Sequence, residues 1–462
     1  MGNHEMNSRR AYLFIFLLAL MLRLGFLAWN WDTTPNWNID ALGYHQLAVN
    51  LLQHRVFSLN TEPPFEPDSI RTTGYPLFLA LVYALVGVAP RAVILLQALL
   101  DALTTLLVVD GTLRLSHNSK ASILAGILHA IFPLAWRYAA ELYVESFLAF
   151  WIALSFWLLI RTVQASGRGR LWTALALGMS AGVSLLVKPN VILLPIFLAL
   201  PLLTHRLYRQ MLAFVAALIL ILTPWLVRNA MEFGHFTLST TFMHNLARIS
   251  APATMAQARG EYVAPWTSRW DDLFYEIVDD TTKNNPALFA IPQEELTPEQ
   301  LYQRQAALAN TAKTIIRAHP RAFFLSYLRG AMKGWMPQEQ WFWYERIAGK
   351  RWAETFPNGI ISYLLTEGRR SPPLLALTLF VIFLIWQFLR VFLAAWGAIK
   401  LFPHNRALVI AMVLFILYVT MLPGPIAYDR FHVPITPLLH GFMAVGMMDF
   451  LTRPKSFVMR GA

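Results

Sequence analysis

The chain contains no cysteine and has little charge: Asp, Glu, Lys and Arg make up only 14% of its 462 residues. The missing cysteine excludes disulfides, thiolate metal sites and a cysteine nucleophile. The low charge falls well short of the roughly 25% found in soluble domains. What is plentiful is apolar: 56% of residues are hydrophobic. Long apolar runs recur, each able to cross about 30 Å of hydrocarbon. These features describe an all-α polytopic membrane protein. The 16 Trp and 15 Tyr suit interfacial belts and internal cavities.

The net charge of +12 suggests an anionic partner. Yet the one long polar stretch, residues 230–372, carries 15 Lys plus Arg against 14 Asp plus Glu. The excess therefore lies in short loops and termini, as positive-inside orientation requires, and nucleic acid is not an expected partner.

"MNSRR" followed by "AYLFIFLLALMLRLGFLAWN" (11–30) reads as an uncleaved first helix with its amino end in the cytoplasm. Further spans are expected near 92–113, 121–140, 143–163, 171–187, 189–204, 211–227, 374–399, 407–423 and 432–451. The connections "RLSHNSK", "RTVQASGRGR", "HRLYRQ" and "KLFPHNR" and the tail "TRPKSFVMR" sort to the cytoplasmic side. "GYPLFLALVYALVG" (74–87) is short, and counting it as a full crossing would put "RLSHNSK" outside, so it reads as a half-span or the first arm of a broken helix. This scheme gives ten crossings with both termini inside. Three regions follow: an N-terminal membrane module (1–229) with a first exterior loop (31–73), an exterior segment (230–372), and C-terminal membrane helices (373–462). In the exterior segment, "PEQLYQRQAALANTAKTIIRAHP" has amphipathic helical spacing, and "RAFFLSYLRGAMKGWM" suits the bilayer surface.

"NIDALGYHQLAVNLLQ" puts Asp40, Tyr44, Ala48 and Leu52 on one helical face. Asp40 has no cation near it in sequence and is expected to stand unpaired. Arg71, Arg137, Glu141, Glu145, Lys188, Arg228, Asn229, Asp429 and Arg430 all fall at helix ends on the same, exterior, side. Each has a plainer explanation: an Arg or Lys snorkelling to headgroups, a carboxylate capping a helix, Glu141 and Glu145 pairing with Arg137. Arg23 and Asp101 lie deeper and are expected to pair structurally. Taken together, acids and cations at one leaflet suit transfer from an anionic lipid: a general base accepts an acceptor's proton while cations hold a departing phosphate.

These motifs resemble the polyprenyl-phosphate-sugar-dependent glycosyltransferases of the GT-C fold. The nearest branch is the bacterial protein-mannosyltransferase-like, or aminoarabinose-transferase-like, family. "DALGYHQLAVNLL" resembles its first exterior loop, "AELYVESFLAFW" its second acidic motif, and "GVSLLVKPN", "TPWLVRNAMEFGHFTLSTTFMHNL" and "YDRFHVPITPLL" its later segments. The chain departs from the family at "RTTGYP", where many members carry His-Pro-Pro or Lys-Pro.

The resemblance implies a GT-C-like bundle of about 10–11 transmembrane helices, with exterior surface helices and a mainly helical exterior segment. It implies an inverting hexosyl- or pentosyltransferase in a bacterial inner membrane, its site facing the periplasm. Asp40 would be the base and Glu145 a second acid that orients the acceptor or binds a divalent metal. Arg71, Lys188, Arg228 and Arg430 would hold the donor phosphate. Tyr44, Glu141, Arg137 and Asn229 would line the substrate site. The donor would be a polyprenyl-phosphate sugar and the acceptor a glycan, lipid or protein hydroxyl. Two rivals stand beside this reading: a transporter or flippase for lipid-linked sugars, and a ligase or polymerase using diphosphate-linked donors.

Overall fold

The structure, a computed structural model, describes residues 2–336, 339–351 and 374–452. The end of the 230–372 segment and the cationic tail beyond Thr452 lie outside the described residues. The described chain is helical throughout, with one isolated antiparallel bridge, Ser58 to Pro67, in place of a sheet.

Helix α1 (Gly2–Trp29) crosses the bundle to a loop that leads into α2 (Ile39–Gln53). Next come α3 (Gly74–Val86), α4 (Pro90–Ser116), α5 (Ser119–Ala130) and α6 (Pro133–Ala139). After these run α7 (Val144–Gln164), α8 (Gly167–Val187), α9 (Leu194–Thr204) and α10 (Tyr208–Phe233). The α3 half-span holds its expected place. Arg71 and Thr72, just before it, share a cavity with Val187 and Lys188 at the end of α8. Just beyond it, Arg91 donates to the carbonyls of Thr34 and Trp31, both at 3.2 Å. Both ends of α3 therefore lie on one face. His45 of α2 bonds the Tyr83 hydroxyl at 2.9 Å, which lays α3 along α2.

Seven described helices are long and apolar enough to cross a membrane, or eight if α5 and α6 count as one span bent by 52°. The bend has a sequence cause. Pro133 begins α6 without an N–H to donate, so carbonyls at the end of α5 lose their helical partners. Arg23 (2.9 Å) and the Trp136 indole (2.7 Å) bond the Ala130 carbonyl instead. Arg23 Nε also meets Asp101 Oδ2 at 2.5 Å, both side chains fully buried, so the expected pairing joins α1, α4 and α5.

Among the described residues, ten passages result once two further elements are counted. The 48-residue α18 (Leu374–Met421) is non-helical at Asn405 (φ −136°, ψ 39°) and turns back there. Asn405 bonds the Leu115 carbonyl, while Tyr418 bonds that of Asn190 at the opposite end of the bundle. The second element is α9 with its leading turn, Pro189–Thr204, an apolar stretch shorter than a full span. The last passage is a 3-10 turn, Asp429–Ile435, continued as α19 (Thr436–Thr452). Helices α18 and α19 meet through glycines. A Cβ on Gly397 would lie 1.8 Å from the Phe442 carbonyl oxygen, and one on Gly446 2.1 Å from that of Leu393.

The segment after α10 packs over one end of this bundle. It runs α11 (Thr241–Asn245), a π turn (Leu246–Ser250), α12 (Ala251–Ala258), α13 (Ser268–Asn284), α14 (Pro286–Ala290), α15 (Pro298–Ala318), α16 (Pro320–Gly334) and α17 (Glu339–Ala348). Ala247, Ala251, Ile277 and Ala312 form a small core of its own. On α16, Phe324, Leu328 and Met332 form an exposed stripe at steps of four, as the surface-helix reading expects.

Candidate active site

A cleft of about 1030 Å³, open mouth included, lies where this segment meets the bundle. Its charged lining comes from distant parts of the chain: Asp40, Arg71, Glu145, Lys188 and Arg430. Tyr44 also lines it.

Asp40 sits in the first turn of α2 because Asn38 caps that helix, its Oδ1 accepting the N–H groups of Asp40 (3.0 Å) and Ala41 (3.1 Å). The positive end of the helix dipole favours a carboxylate there. The expectation of an unpaired Asp40 is corrected. Arg430 Nη1 lies 3.1 Å from Asp40 Oδ2, and Arg430 Nε lies 3.6 Å from Glu145 Oε1. Sequence distance hid this pair, since the two residues belong to the first surface helix and the last 3-10 turn.

Glu145, the second residue of α7, is 1% exposed. Lys188 Nζ donates to its Oε1 at 3.0 Å. A buried carboxylate costs several kcal/mol in lost hydration, about 3–5 if a partner is removed, so two cations on it are no surplus. Its other oxygen, Oε2, has no hydrogen-bond partner among the described residues.

Arg71 follows a tight turn in which Asp68 Oδ1 accepts the N–H groups of Ile70 (2.8 Å) and Arg71 (2.7 Å). This loop is tied to the chain entering α11: Thr240 N–H donates to the Ser69 carbonyl at 2.7 Å, and the Thr241 hydroxyl bonds that of Ile70. The Arg71 guanidinium lies 5.6 Å from the centre of the Tyr44 ring. Burial raises the Asp68 carboxyl despite Arg71 and Arg228 nearby.

Four expected residues do not reach the cleft. Arg228 lies among the Trp225, Phe233 and Phe57 rings and bonds Asn229 Oδ1 at 2.9 Å. Asn229 is buried and donates to the Thr237 carbonyl at 2.7 Å, which fixes the turn after α10. Arg137 faces Phe342 (4.6 Å) and Trp341 (4.7 Å) of α17. Glu141 sits near Arg137, the Asn36 N–H and Arg346, where burial pushes its carboxyl up to about 7. The last two therefore stitch the first loop to α17. The expected sharing of one helix by Arg137 and Glu145 does not hold, because α6 ends at Ala139 and the chain turns before α7 begins at Val144.

The cleft also takes residues not singled out from sequence: Tyr143, Asn190, His244 and Asn245. Burial, with Arg248 and Arg71 near, lowers His244, so it is neutral at pH 7. "TTFMHN" carries the signal as two polar side chains just after the "PW…RN…FG" run. Among the described residues no group of three His or acidic side chains stands close enough to hold a metal.

A second, mostly apolar groove of about 560 Å³ adjoins the cleft. Leu148, Val191, Ile249, Val419, Leu422 and Pro434 line it, and it shares Lys188, Asn190, Asn245, Ile426 and Phe431 with the cleft.

Residues 71–228 match the dolichyl-phosphate-mannose-protein mannosyltransferase family. Of the cleft's charged residues this stretch holds Arg71, Glu145 and Lys188. No curated protein matches the chain by sequence. Among solved structures it is similar to the archaeal oligosaccharyltransferase AglB from Archaeoglobus fulgidus, in complex with an inhibitory peptide and a dolichol-phosphate. That match has 13% identity and a TM-score of 0.50, and covers 95% of this chain and 50% of AglB. The chain thus spans about half the length of that relative. A match to ArnT from Cupriavidus metallidurans bound to undecaprenyl phosphate has 15% identity and a TM-score of 0.42, and covers 94% of this chain and 77% of ArnT. The fold is that of the GT-C membrane glycosyltransferases. In fold, and over residues 71–228 in sequence, the chain resembles the polyprenyl-phosphate-sugar-dependent members of that group, as its motifs imply.

Proposed function

We propose that the protein is an inverting glycosyltransferase that moves a sugar from a polyprenyl-phosphate donor to a hydroxyl acceptor at the exterior face of a bacterial inner membrane. One observation carries the reading: Lys188 lies where the apolar groove opens into the charged cleft. A lipid-linked sugar has the same division, with an apolar tail, one phosphate and a polar sugar. The tail lies along Leu148, Val191, Val419 and Leu422, and the phosphate beside Lys188 within reach of Arg430 and Arg71. Three cations and two carboxylates line the cleft, with Asp68 behind Arg71 at 3.7 Å, so an entering phosphodiester has three cationic partners on offer.

Asp40 takes the acceptor's hydroxyl proton. The acceptor oxygen then bonds the anomeric carbon from the face opposite the phosphate. The bond from that carbon to the phosphate oxygen breaks, and its electron pair leaves with the lipid phosphate towards the cations. Arg430 pairs with Asp40 at 3.1 Å, and the incoming phosphate competes for the same guanidinium. Neutral His244 and Asn245 supply hydrogen bonds to sugar hydroxyls.

Exterior orientation is supported by the connections at the other end of the bundle. They carry Arg114, Lys120, Arg161, Arg168, Arg170, Arg206, Arg209, Lys400 and Arg406, the bias expected of a cytoplasmic face. A transporter needs a polar path through both leaflets. Here Arg23, Asp101, His129 and His440, deep in the bundle, are all at most 1% exposed and packed against one another and the chain.

The test is transfer by the full chain in lipid vesicles, supplied with undecaprenyl-monophosphate and undecaprenyl-diphosphate sugars. Sugar release or transfer from the monophosphate, lost in Asp40→Asn, is the expected result. Use of the diphosphate alone would favour a ligase or polymerase.

A further inference from the structure

A third cleft, about 740 Å³ with its open mouth, lies in the segment above the bundle, on the far side of the wall that bounds the lipid groove. In that wall Ser250 and Tyr327 share a hydroxyl–hydroxyl bond at 2.7 Å, and both face the groove. The 3-10 turn Gly424–Ile426 is pressed onto α16 so tightly that a Cβ on Gly330 would lie 1.9 Å from the Gly424 oxygen. Pro425 of this turn lines the third cleft, and its neighbour Ile426 lines the charged one. The two spaces are therefore one residue apart.

The lining has a definite chemistry. Ser326, Arg329 and Lys333 project from one face of α16, at steps of three and four. Arg329 makes no ion pair among the described residues. Among the described residues the one carboxylate lining the cleft, Glu261, is paired with Arg269 at 3.0 Å, so its charge does not cancel that of Arg329. Gln257 Oε1 is buried without a hydrogen-bond partner among the described residues. A buried acceptor in that state calls for a donor from a ligand or water. Tyr262, 77% exposed, presents a ring at the mouth, and Trp270, its indole N–H committed to the Arg248 carbonyl at 3.0 Å, forms an apolar inner wall.

We infer that this cleft is the acceptor subsite and that the acceptor is an acidic saccharide, a glycan bearing phosphate or carboxylate groups. The inference rests on the glycosyltransferase reading above. Hydroxyls satisfy Gln257 and Ser326, a sugar ring stacks on Tyr262, and the acidic group meets Arg329 and Lys333. An acidic peptide fits less well, because the described cleft is helical and offers no strand edge to pair a peptide backbone. The turn Gly424–Ile426 then acts as a sill over which the glycan's terminal hydroxyl reaches Asp40.

The test is direct binding to the full chain in lipid nanodiscs. The probes are a glucuronate-containing tetrasaccharide, its neutral counterpart with carboxylates reduced to alcohols, and a hexaglutamate peptide. Saturable binding of the acidic tetrasaccharide, at least tenfold weaker in Arg329→Gln/Lys333→Gln and weakened in Gln257→Leu, is expected. Unchanged thermal melting of the variants separates this from misfolding. Presenting the same glycan on a lipid anchor and free in solution tells a membrane-borne acceptor from a soluble one, and binding of either supports the inference. Equal binding of the neutral form, preference for the peptide, or no binding at all overturns it. Asp40→Asn should still bind the tetrasaccharide. Loss of donor cleavage in the wild type would therefore sink the transferase reading without touching this result.

Discussion

Arg430 stands between two carboxylates, 3.1 Å from Asp40 and 3.6 Å from Glu145. It thereby joins the first surface helix to the last membrane passage. If the phosphate draws this guanidinium away, Asp40 becomes the base only when donor is bound. Asp40→Asn should lower transfer by about 10²–10⁴-fold, the usual contribution of a general base. Arg430→Lys should raise the donor KM and keep part of kcat. Steady-state kinetics in vesicles measure both, and a fully active Asp40→Asn enzyme would remove Asp40 from the mechanism.

Lys188 and Glu145 form a pair that can be tested as a cycle. Lys188→Met leaves buried Glu145 with Arg430 alone, at 3.6 Å, and should cost part of the about 3–5 kcal/mol of a fully stranded charge, whereas Lys188→Met/Glu145→Gln should recover most of that stability. Donor binding should not recover, because the phosphate has lost its cation. Thermal melting and titration of a labelled lipid-phosphate separate the two effects.

Gly43 is small because Arg71 passes over it: a Cβ there would lie 2.8 Å from Arg71 Nη2 and 2.9 Å from Cζ. The blocking atoms end a flexible side chain, so Gly43→Ala should fold and instead displace the guanidinium. A several-fold rise in donor KM with little change in melting temperature is expected.

Glu141 makes stability depend on pH. Burial raises its carboxyl from an ordinary 4.5 to about 7, so the folded protein holds this proton more tightly than the unfolded chain. Its contribution is therefore greatest below pH 4.5 and falls as pH rises towards 7. Glu141→Gln should flatten the melting temperature over that window, and parallel curves for both proteins would refute the assignment.

Arg23 and Asp101, paired at 2.5 Å in the bundle interior, should show the signature of a buried ion pair. Either Arg23→Met or Asp101→Leu alone should destabilise by about 3–5 kcal/mol, and the double variant by less than either.

Depth was legible from sequence and azimuth was not. A charge at the end of an apolar run must sit near an interface, which placed Asp40, Glu145, Lys188 and Arg430 at one level. It also showed that Arg23 and Asp101, isolated at mid-depth, needed each other. The short apolar run at 74–87 read as a half-span because a full crossing there would have put the basic loop 114–120 on the exterior side. Nothing in helical spacing says which neighbour a helix end turns towards around the bundle. Arg228 and Asn229 sit at the right level but point into the turn after α10, while Arg137 and Glu141 point to α17. The Arg430–Asp40 contact was hidden for the same reason, since it depends on how the last passage docks beside the first loop. His244 escaped notice because it comes from a short helix after the membrane module, where no hydropathy signal fixes its level.

The backbone-to-backbone seam at Gly397 and Gly446 leaves no slack between the last two helices. A helix gripped so closely cannot slide along its partner, so the level at which Arg430 meets the water is set roughly 25 Å away, near the opposite surface. A larger residue in the seam would therefore shift the guanidinium without touching any side chain that lines the cleft.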